Sequence, residues 1–141
     1  MNIYFACSIT GGRELESTYQ QIVAALTTDG HEIPTSHLAQ SEVIEHERAL
    51  TPQHVYERDV NWIKNCDAMI AEVSVPSHGV GYEIAFALSI GKPVLCIHEQ
   101  ERRVSKMITG NPNPTLLVKS YANLEEAIAL ARVFPSEGLH L

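Results

Sequence analysis

Residues 67–97, DAMIAEVSVPSHGVGYEIAFALSIGKPVLCI, carry the pattern that decides the fold. Two short runs in this stretch, 68–73 and 93–97, are apolar almost throughout. The segment 80–90 between them has apolar residues at helical spacing and ends before Gly91. Strands without polar alternation are covered on both faces, as in parallel sheets whose strands are joined by helices. The stretch therefore predicts a strand, a crossover helix and a second strand parallel to the first.

The rest of the chain repeats this unit in both directions. Thr51-Pro52 is typical of a helix start, because a capping hydroxyl precedes a proline at the first helical position. We predict one α/β domain over residues 1–141, doubly wound and flavodoxin- or Rossmann-like, with a five-stranded parallel sheet. The further strands are predicted at 2–8, 31–36 and 115–118, and the further helices at 13–29, 51–65, 102–109 and 123–133, with loop or irregular helix over 38–50.

The bulk composition narrows the classes of function. The chain has 141 residues, of which 45% are apolar, and this is ordinary for one globular domain. Its formal net charge of −7 argues against binding to DNA or RNA polymers, which relies on basic surface. No apolar run approaches the length of a membrane span, and Met1 leads directly into a predicted strand. We therefore expect a cytoplasmic protein without a membrane partner.

The cysteines and histidines indicate neither disulfides nor a metal. Cys7, Cys66 and Cys96 are odd in number, scattered and set in or beside apolar runs, which predicts buried free thiols in a reducing compartment. The seven histidines show no metal-ligand spacing such as H-x-x-x-H. We predict no metal and no cofactor.

Glycine-rich and polar segments follow the predicted strands at the edge where parallel sheets bind ligands. The segment 8–13, SITGGR, can hold a phosphate with backbone N–H groups and the Arg13 guanidinium, although Gly-Gly is also an ordinary turn. The segments 73–81 and 98–104 reach the same edge. This edge is the predicted site.

Two carboxylates are placed to act there. Glu83 falls in the first turn of the predicted helix 80–90, where the helix dipole favours an ionised carboxylate; a glutamate that merely stabilises the helix end is the alternative. Asp59 lies on the apolar face of its helix and would be partly desolvated, unless its head group reaches water. One ionised carboxylate and a second one tunable towards protonation suit retaining glycoside chemistry. Tyr4, on the first strand, either packs in the core or contacts Glu83.

Three motifs occur in order along the chain: YFACSITGGRE at 4–14, ERDVNW at 57–62, and AEV followed by PSHGVGYE at 71–83. Together they resemble the nucleoside 2-deoxyribosyltransferase superfamily, and within it the 2′-deoxynucleoside 5′-phosphate N-hydrolases. The similarity covers nearly the whole chain. It implies an N-glycosidase that hydrolyses (deoxy)nucleoside 5′-monophosphates to a free base and (deoxy)ribose 5-phosphate.

The resemblance also implies roles for individual residues. Glu83 matches the nucleophile, which forms a covalent 5-phospho-deoxyribosyl intermediate. Asp59 matches the aspartate that assists departure of the base, and Tyr4 the tyrosine that orients the nucleophile. Ser105 matches a serine that reaches the phosphate in the neighbouring subunit's site, which implies a homodimer. The implied substrate contacts are Ser8, Ile9, Gly11, Gly12, Arg13, His37, Ser77, Gly79, Ser105 and Met107.

Ser77 and Thr10 bear on the choice between related activities. Transferases that act on free nucleosides resemble this family but tend to carry an acidic residue in place of Ser77, which would repel a 5′-phosphate; a serine can donate to it. Thr10 departs from the animal hydrolases, which have an arginine at this point of the loop. Three alternatives stay open: base exchange between free deoxynucleosides, a non-catalytic nucleotide-binding module, and a flavodoxin-like electron carrier.

Overall fold

The computed structural model describes residues 1–10 and 13–138. In this part of the chain, a parallel sheet has four strands in the order β1 (Ile3–Ala6), β2 (Ala68–Glu72), β3 (Val94–Glu99) and β4 (Leu116–Tyr121). The helices are α1 (Glu16–Thr28), α2 (Val43–Arg48), α3 (Pro52–Asn65), α4 (His78–Ser89), α5 (Lys106–Thr109) and α6 (Leu124–Glu137), and a 3-10 turn spans Ser36–Ala39.

Helices cover both faces of the sheet, as the apolar strands predict. Residues of α1 and α6 pack on one face, and residues of α3 and α4 pack on the other. Alternate residues of β1 enter the two cores, with Phe5 on the α1 side and Tyr4 and Ala6 on the α4 side. This confirms the predicted α/β fold with a parallel sheet. Among the described helices, none combines the length and the apolar character needed to cross a membrane.

The prediction of a fifth strand at 31–36 is wrong. Only Glu32 bridges to Asn2, and Pro34 then follows, which has no N–H to continue a ladder. The Thr35 side chain binds the edge of β1 that faces away from β2. Its Oγ1 accepts from the N–H of Phe5 at 3.0 Å and donates to the Phe5 carbonyl at 2.7 Å. The buried Thr35 hydroxyl therefore satisfies the backbone N–H and carbonyl of Phe5, as a neighbouring strand would.

The predicted helix ends are confirmed where a capping side chain or a glycine determines them. Thr51 Oγ1 accepts from the N–H of His54 at 3.1 Å, and α3 begins at the proline that follows Thr51. Gly30 and Gly91 follow α1 and α4 with φ values of +86° and +75°. This left-handed conformation ends a helix and favours glycine.

All three cysteines are buried and free. They lie within the core residues on the two faces of the sheet. This confirms the prediction of buried thiols without disulfides.

Candidate active site

The Tyr4 hydroxyl and the Glu83 carboxylate meet between β1 and α4. Tyr4 is fully buried, and its hydroxyl donates a hydrogen bond of 2.9 Å to Oε1 of Glu83. A buried phenol needs a partner of this kind, because an unpaired hydroxyl in the core costs free energy. The ring therefore packs in the core while its hydroxyl fixes the carboxylate.

Glu83 lies deeper in α4 than the sequence predicts. Ser77 caps the helix, with its Oγ accepting from the N–H of Val80 at 3.3 Å, so α4 begins at His78 rather than at residue 80. Glu83 is then the sixth residue of the helix, beyond the free N–H groups of the first turn. The prediction that the helix dipole stabilises the ionised form of Glu83 is therefore wrong.

Burial controls the protonation of Glu83. It raises the pKa of this carboxyl to about 8, the Tyr4 hydrogen bond lowers the pKa, and the negative charge of Asp59 raises it further. A carboxyl with this pKa is poised between its acid and its nucleophilic form near neutral pH. Perturbed carboxyls of this kind are typical of functional sites rather than of surface glutamates.

Asp59 belongs to the same group of charges. It lies on α3, which packs against α4, and its side chain is 13% exposed. Burial raises the pKa of Asp59, and the hydrogen bond that Arg58 Nε donates to its Oδ1 at 2.8 Å opposes this rise. The charge of Asp59 also raises the pKa of both Glu83 and Tyr4, so Asp59 acts electrostatically on each of these groups. The structure thus brings the predicted catalytic residues together.

A cleft of about 1290 Å³ is lined mainly by residues of α4 and α5 and of the segments that precede them. Ile84, the neighbour of Glu83 on α4, lies in its wall, whereas Glu83 and Asp59 do not. None of the described residues in the wall is a carboxylate, although the chain as a whole is acidic. The polar and charged side chains of the wall are Thr10, Ser77, His78, Arg103, Ser105, Lys106 and Asn111. A cleft so lined favours an anion.

Several predicted substrate contacts meet at this cleft. Ser77 lines it from the start of α4, and Ser105 and Met107 line it from α5, all within one chain. Ser105 caps α5 by accepting from the N–H of Met107 at 3.2 Å. Gly79 is exposed in the first turn of α4 and does not line the cleft.

The loop after β1 supplies other predicted contacts. Ser8 is fully buried, and its Oγ has no hydrogen-bond partner among the residues that the structure describes. Ile9 lines a second cavity of about 560 Å³, together with Thr10 and Arg13. Gly11 and Gly12, which the sequence places at the phosphate, lie outside the described residues.

Arg13 has a different set of partners from the phosphate contact that the sequence predicts. Its guanidinium donates to the carbonyls of Ser8 at 3.2 Å, Leu38 at 3.0 Å and Gln40 at 2.9 Å. These bonds tie the loop after β1 to the 3-10 turn. In this structure Arg13 therefore organises the loop with the donors that a phosphate would need.

His37 forms the far end of a chain of polar contacts that leads to Asp59. Its Nε2 lies 3.1 Å from Oε1 of Glu47, and Arg58 donates to both oxygens of Glu47, at 2.9 Å and 3.2 Å. Among the described residues, His37, His46 and Glu47 also form the one group of potential metal ligands, with ligand atoms within 4.8 Å of one another. The Arg58 cation occupies both oxygens of Glu47, where a metal ion would have to bind.

Sequence reasoning missed Glu47, Arg58 and Lys106. Arg58 carries a local signal, because it lies beside Asp59 and one helical turn before Trp62, whose ring its guanidinium covers at 4.8 Å. Lys106 also carries a signal, because it lies between Ser105 and Met107, which the resemblance places at the substrate. Glu47 carries none, since only the tertiary fold brings its segment to the site. Two other acids beside or within β2 make structural hydrogen bonds: Glu72 accepts from Ser74 and Tyr121, and Asp67 accepts from the N–H of Asn2.

Comparison with known proteins identifies the family. Residues 3–127 match the nucleoside 2-deoxyribosyltransferase family over most of the chain. The chain belongs to the nucleoside 2-deoxyribosyltransferase family. Membership confirms the resemblance read from the three motifs, and with the relatives below it confirms the predicted enzyme class, an N-glycosidase.

Relatives within the family carry hydrolase names. A "Putative 2'-deoxynucleoside 5'-phosphate N-hydrolase 1" of Methanococcoides burtonii is 43% identical over 119 residues, which cover 84% of this chain and 98% of the relative. The 5-hydroxymethyl-dUMP N-hydrolase of Rattus norvegicus is 38% identical over 138 residues, covering 94% and 84%. The structure of the Clostridium botulinum CMP N-glycosidase BcmB aligns with a TM-score of 0.72 at 18% identity, over 94% of this chain and 99% of that one. At this identity, the structural match shows a shared fold.

Proposed function

We propose that this family member hydrolyses the N-glycosidic bond of (deoxy)nucleoside 5′-monophosphates, releasing a free base and (deoxy)ribose 5-phosphate. The observation that carries the proposal is the carboxylate of Glu83, held at 2.9 Å by Tyr4 and electrostatically coupled to Asp59. Two half-buried carboxyls, one that can ionise as the nucleophile and one that can act as the acid, are the components that retaining glycoside cleavage requires. The hydrolase names of the relatives support the same reaction.

In the first step, the ionised Glu83 attacks C1′ of the sugar. The C1′–N bond breaks, its electron pair goes to the base, and the acid form of Asp59 protonates the leaving base. In the second step, water attacks C1′ of the glycosyl-Glu83 ester while the Asp59 carboxylate takes its proton, and Glu83 is released. The sequence consumes one water and restores both acids.

The raised pKa of each acid supports this division of work. With a pKa of about 8, Glu83 is ionised in roughly one-tenth of the molecules at pH 7. Burial raises the pKa of Asp59 and thus favours the protonated form that the leaving base needs. Tyr4 directs its hydrogen bond at one oxygen of Glu83, and the other oxygen remains for C1′.

The cleft supports a phosphorylated rather than a free nucleoside. Its described wall holds Arg103 and Lys106 with the hydroxyl of Ser77, and no carboxylate that would repel a phosphate. Hydroxyl donors and cations are the groups that bind phosphate oxygens in proteins. Lys106 supplies a cation in the same cleft as Thr10, where the animal hydrolases have an arginine.

We further propose a cytoplasmic homodimer in which Ser105 serves the partner's site. Met107, two residues on, is 83% exposed in the isolated chain, and a second subunit seated on α5 would cover it. The three buried free thiols support a reducing compartment.

The decisive experiment compares nucleoside 5′-monophosphates with the matching nucleosides and scores the release of free base. We expect release from the monophosphates alone, and we expect acid-quenched reactions to show a deoxyribose 5-phosphate adduct on the peptide that contains Glu83. Glu83→Ala should abolish release while the protein stays folded. Base exchange on unphosphorylated deoxynucleosides would instead assign the transferase reaction, and nucleotide binding without turnover would assign a binding module.

A further inference from the structure

Arg58 occupies an unusual position beside the proposed acid. Its side chain is 14% exposed and lies between two carboxylates, donating through Nε to Oδ1 of Asp59 and through both terminal nitrogens to Glu47. The ring of Trp62 lies 4.8 Å from the guanidinium carbon. Each of its three nitrogens thus donates to a neighbouring carboxylate, which fixes the orientation of the guanidinium.

We propose that Glu47 and Arg58 form a clamp that orients the Asp59 carboxylate towards the substrate, so that Arg58 is a positioning residue for base departure. The clamp engages one oxygen of Asp59. Its second oxygen, Oδ2, accepts no hydrogen bond from the residues that the structure describes. Fixing one oxygen while leaving the other open is what an acid that must meet a substrate atom requires. The inference rests on the proposed function, because it concerns how Asp59 performs its step.

The clamp also sets the charge balance at Asp59. Arg58 favours the ionised form, whereas burial and the negative charge of Glu47 favour the protonated form. Without Arg58, Asp59 would lose the neighbouring positive charge that opposes the effects of burial and of Glu47. The pKa of Asp59 would therefore rise. The titratable and charged groups around Asp59 are Arg58 on α3, Glu47 on α2, His37 on the 3-10 turn, Tyr4 on β1 and Glu83 on α4.

A purely structural arginine would fit part of this geometry, since the Arg58–Glu47 pair also ties α2 to α3. The two roles make different predictions. Loss of a structural tie lowers the unfolding temperature and leaves the pH dependence of the folded enzyme unchanged. Loss of a positioning clamp lowers kcat and shifts the Asp59 inflection of the pH profile, even where folding is complete.

The test measures kcat, KM and the pH profile of base release for Arg58→Gln, Arg58→Lys and Glu47→Gln in the full chain. We expect Arg58→Gln to lower kcat roughly 10- to 100-fold with a small change in KM, and to move the Asp59 inflection to higher pH. Arg58→Lys keeps the positive charge but loses the planar arrangement of donors. It should therefore keep the Asp59 inflection near its wild-type pH but retain only part of kcat. Glu47→Gln should lower kcat less than Arg58→Gln, because Arg58 keeps its bond to Asp59.

Arg132→Gln is the matched control. Arg132 makes a comparable two-nitrogen contact with Asp29, at 2.8 Å and 2.9 Å, outside the site. We expect its kcat and pH profile to match those of the wild type. Unchanged kcat and pH profile in both Arg58→Gln and Glu47→Gln would overturn the clamp while leaving the proposed function intact. Absence of base release from wild-type protein would overturn the proposed function itself. If Arg58→Gln fails to fold, Arg58→Lys and Glu47→Gln decide the matter.

Discussion

The hydroxyl of Tyr4 lies 2.9 Å from Oε1 of Glu83, although 79 residues separate them along the chain. Tyr4 comes from the first strand of the sheet and Glu83 from the helix after the second, and the parallel pairing of β1 with β2 brings these elements together. The hydrogen bond has two effects. It satisfies a buried phenol, and it partly offsets the burial that raises the pKa of the carboxyl.

Tyr4→Phe should therefore impair the ionisation of Glu83 without emptying the core. The phenyl ring keeps the packing, but the donor that lowers the pKa of Glu83 is lost. We expect kcat/KM at pH 7 to fall roughly 3- to 10-fold. We also expect its rise with pH, near pH 8 in the wild type, to move to higher pH. Tyr19→Phe is the control, because the buried Tyr19 hydroxyl has no hydrogen-bond partner among the described residues. An unshifted profile in Tyr4→Phe would contradict the role of the hydrogen bond.

Glu83→Gln should stabilise the protein at high pH. Burial raises the pKa of Glu83 from 4.5 to about 8, so between these values the folded state holds more protons than the unfolded state. The wild type therefore loses stability as pH rises through this window, and the variant does not. We expect the free energy of unfolding of Glu83→Gln to exceed that of the wild type by roughly 2–4 kcal/mol above pH 8, with little difference below pH 4.5.

Urea denaturation at pH 4.5, 7 and 9 measures this difference. Comparing the two proteins at each pH cancels the contributions of all other titrating groups. Glu57→Gln, on the exposed surface of α3, serves as the control substitution. A difference between Glu83→Gln and the wild type that stays constant across the pH range would mean that the Glu83 carboxyl titrates normally.

Lys106→Ala should weaken the binding of phosphorylated substrates selectively. Lys106 is exposed and lines the cleft with Ser77 and Ser105. Solvent screening limits the effect of one exposed cation, so we expect KM for a nucleoside monophosphate to rise about 2- to 5-fold, and more at low salt. Binding of the matching nucleoside should not change. Lys64→Ala, on the exposed side of α3, provides a charge-matched control. Equal effects of Lys106→Ala on nucleotide and nucleoside would exclude a phosphate contact.

Mixing two inactive variants tests whether Ser105 crosses the dimer interface. Glu83→Gln lacks the proposed nucleophile, and Ser105→Ala lacks the proposed phosphate contact. If Ser105 serves the partner's site, each mixed dimer contains one site with both residues. Random assortment should then recover about a quarter of the wild-type activity. If Ser105 serves the cleft of its own chain, as its place beside Ser77 in one chain allows, mixing restores nothing. Sedimentation of the separate variants establishes that both assemble.

The sequence by itself determined the class of fold, the family and the class of enzyme. Near-continuous apolar strands alternate with segments whose apolar residues recur at helical spacing. This pattern predicts a parallel sheet with helices on both faces. Thr51-Pro52 and the glycines at 30 and 91 set helix ends, because capping and left-handed backbone are local properties. The motifs around Tyr4, Asp59 and Glu83 identified the family. In the structure, Tyr4 donates a hydrogen bond to Glu83, and the charge of Asp59 raises the pKa of both.

Only the tertiary structure decided what depends on neighbours distant in the chain. Thr35 replaces a fifth strand at the edge of β1, Arg13 is committed to three carbonyls, and Glu47 reaches Asp59 through Arg58. The raised pKa of Glu83 has the same origin, because burial outweighs the hydrogen bond from Tyr4 and the positive charge of Arg58. Capping and periodicity act over a few residues and can be read from sequence. Desolvation and shared hydrogen-bond partners exist only once the chain has closed around them.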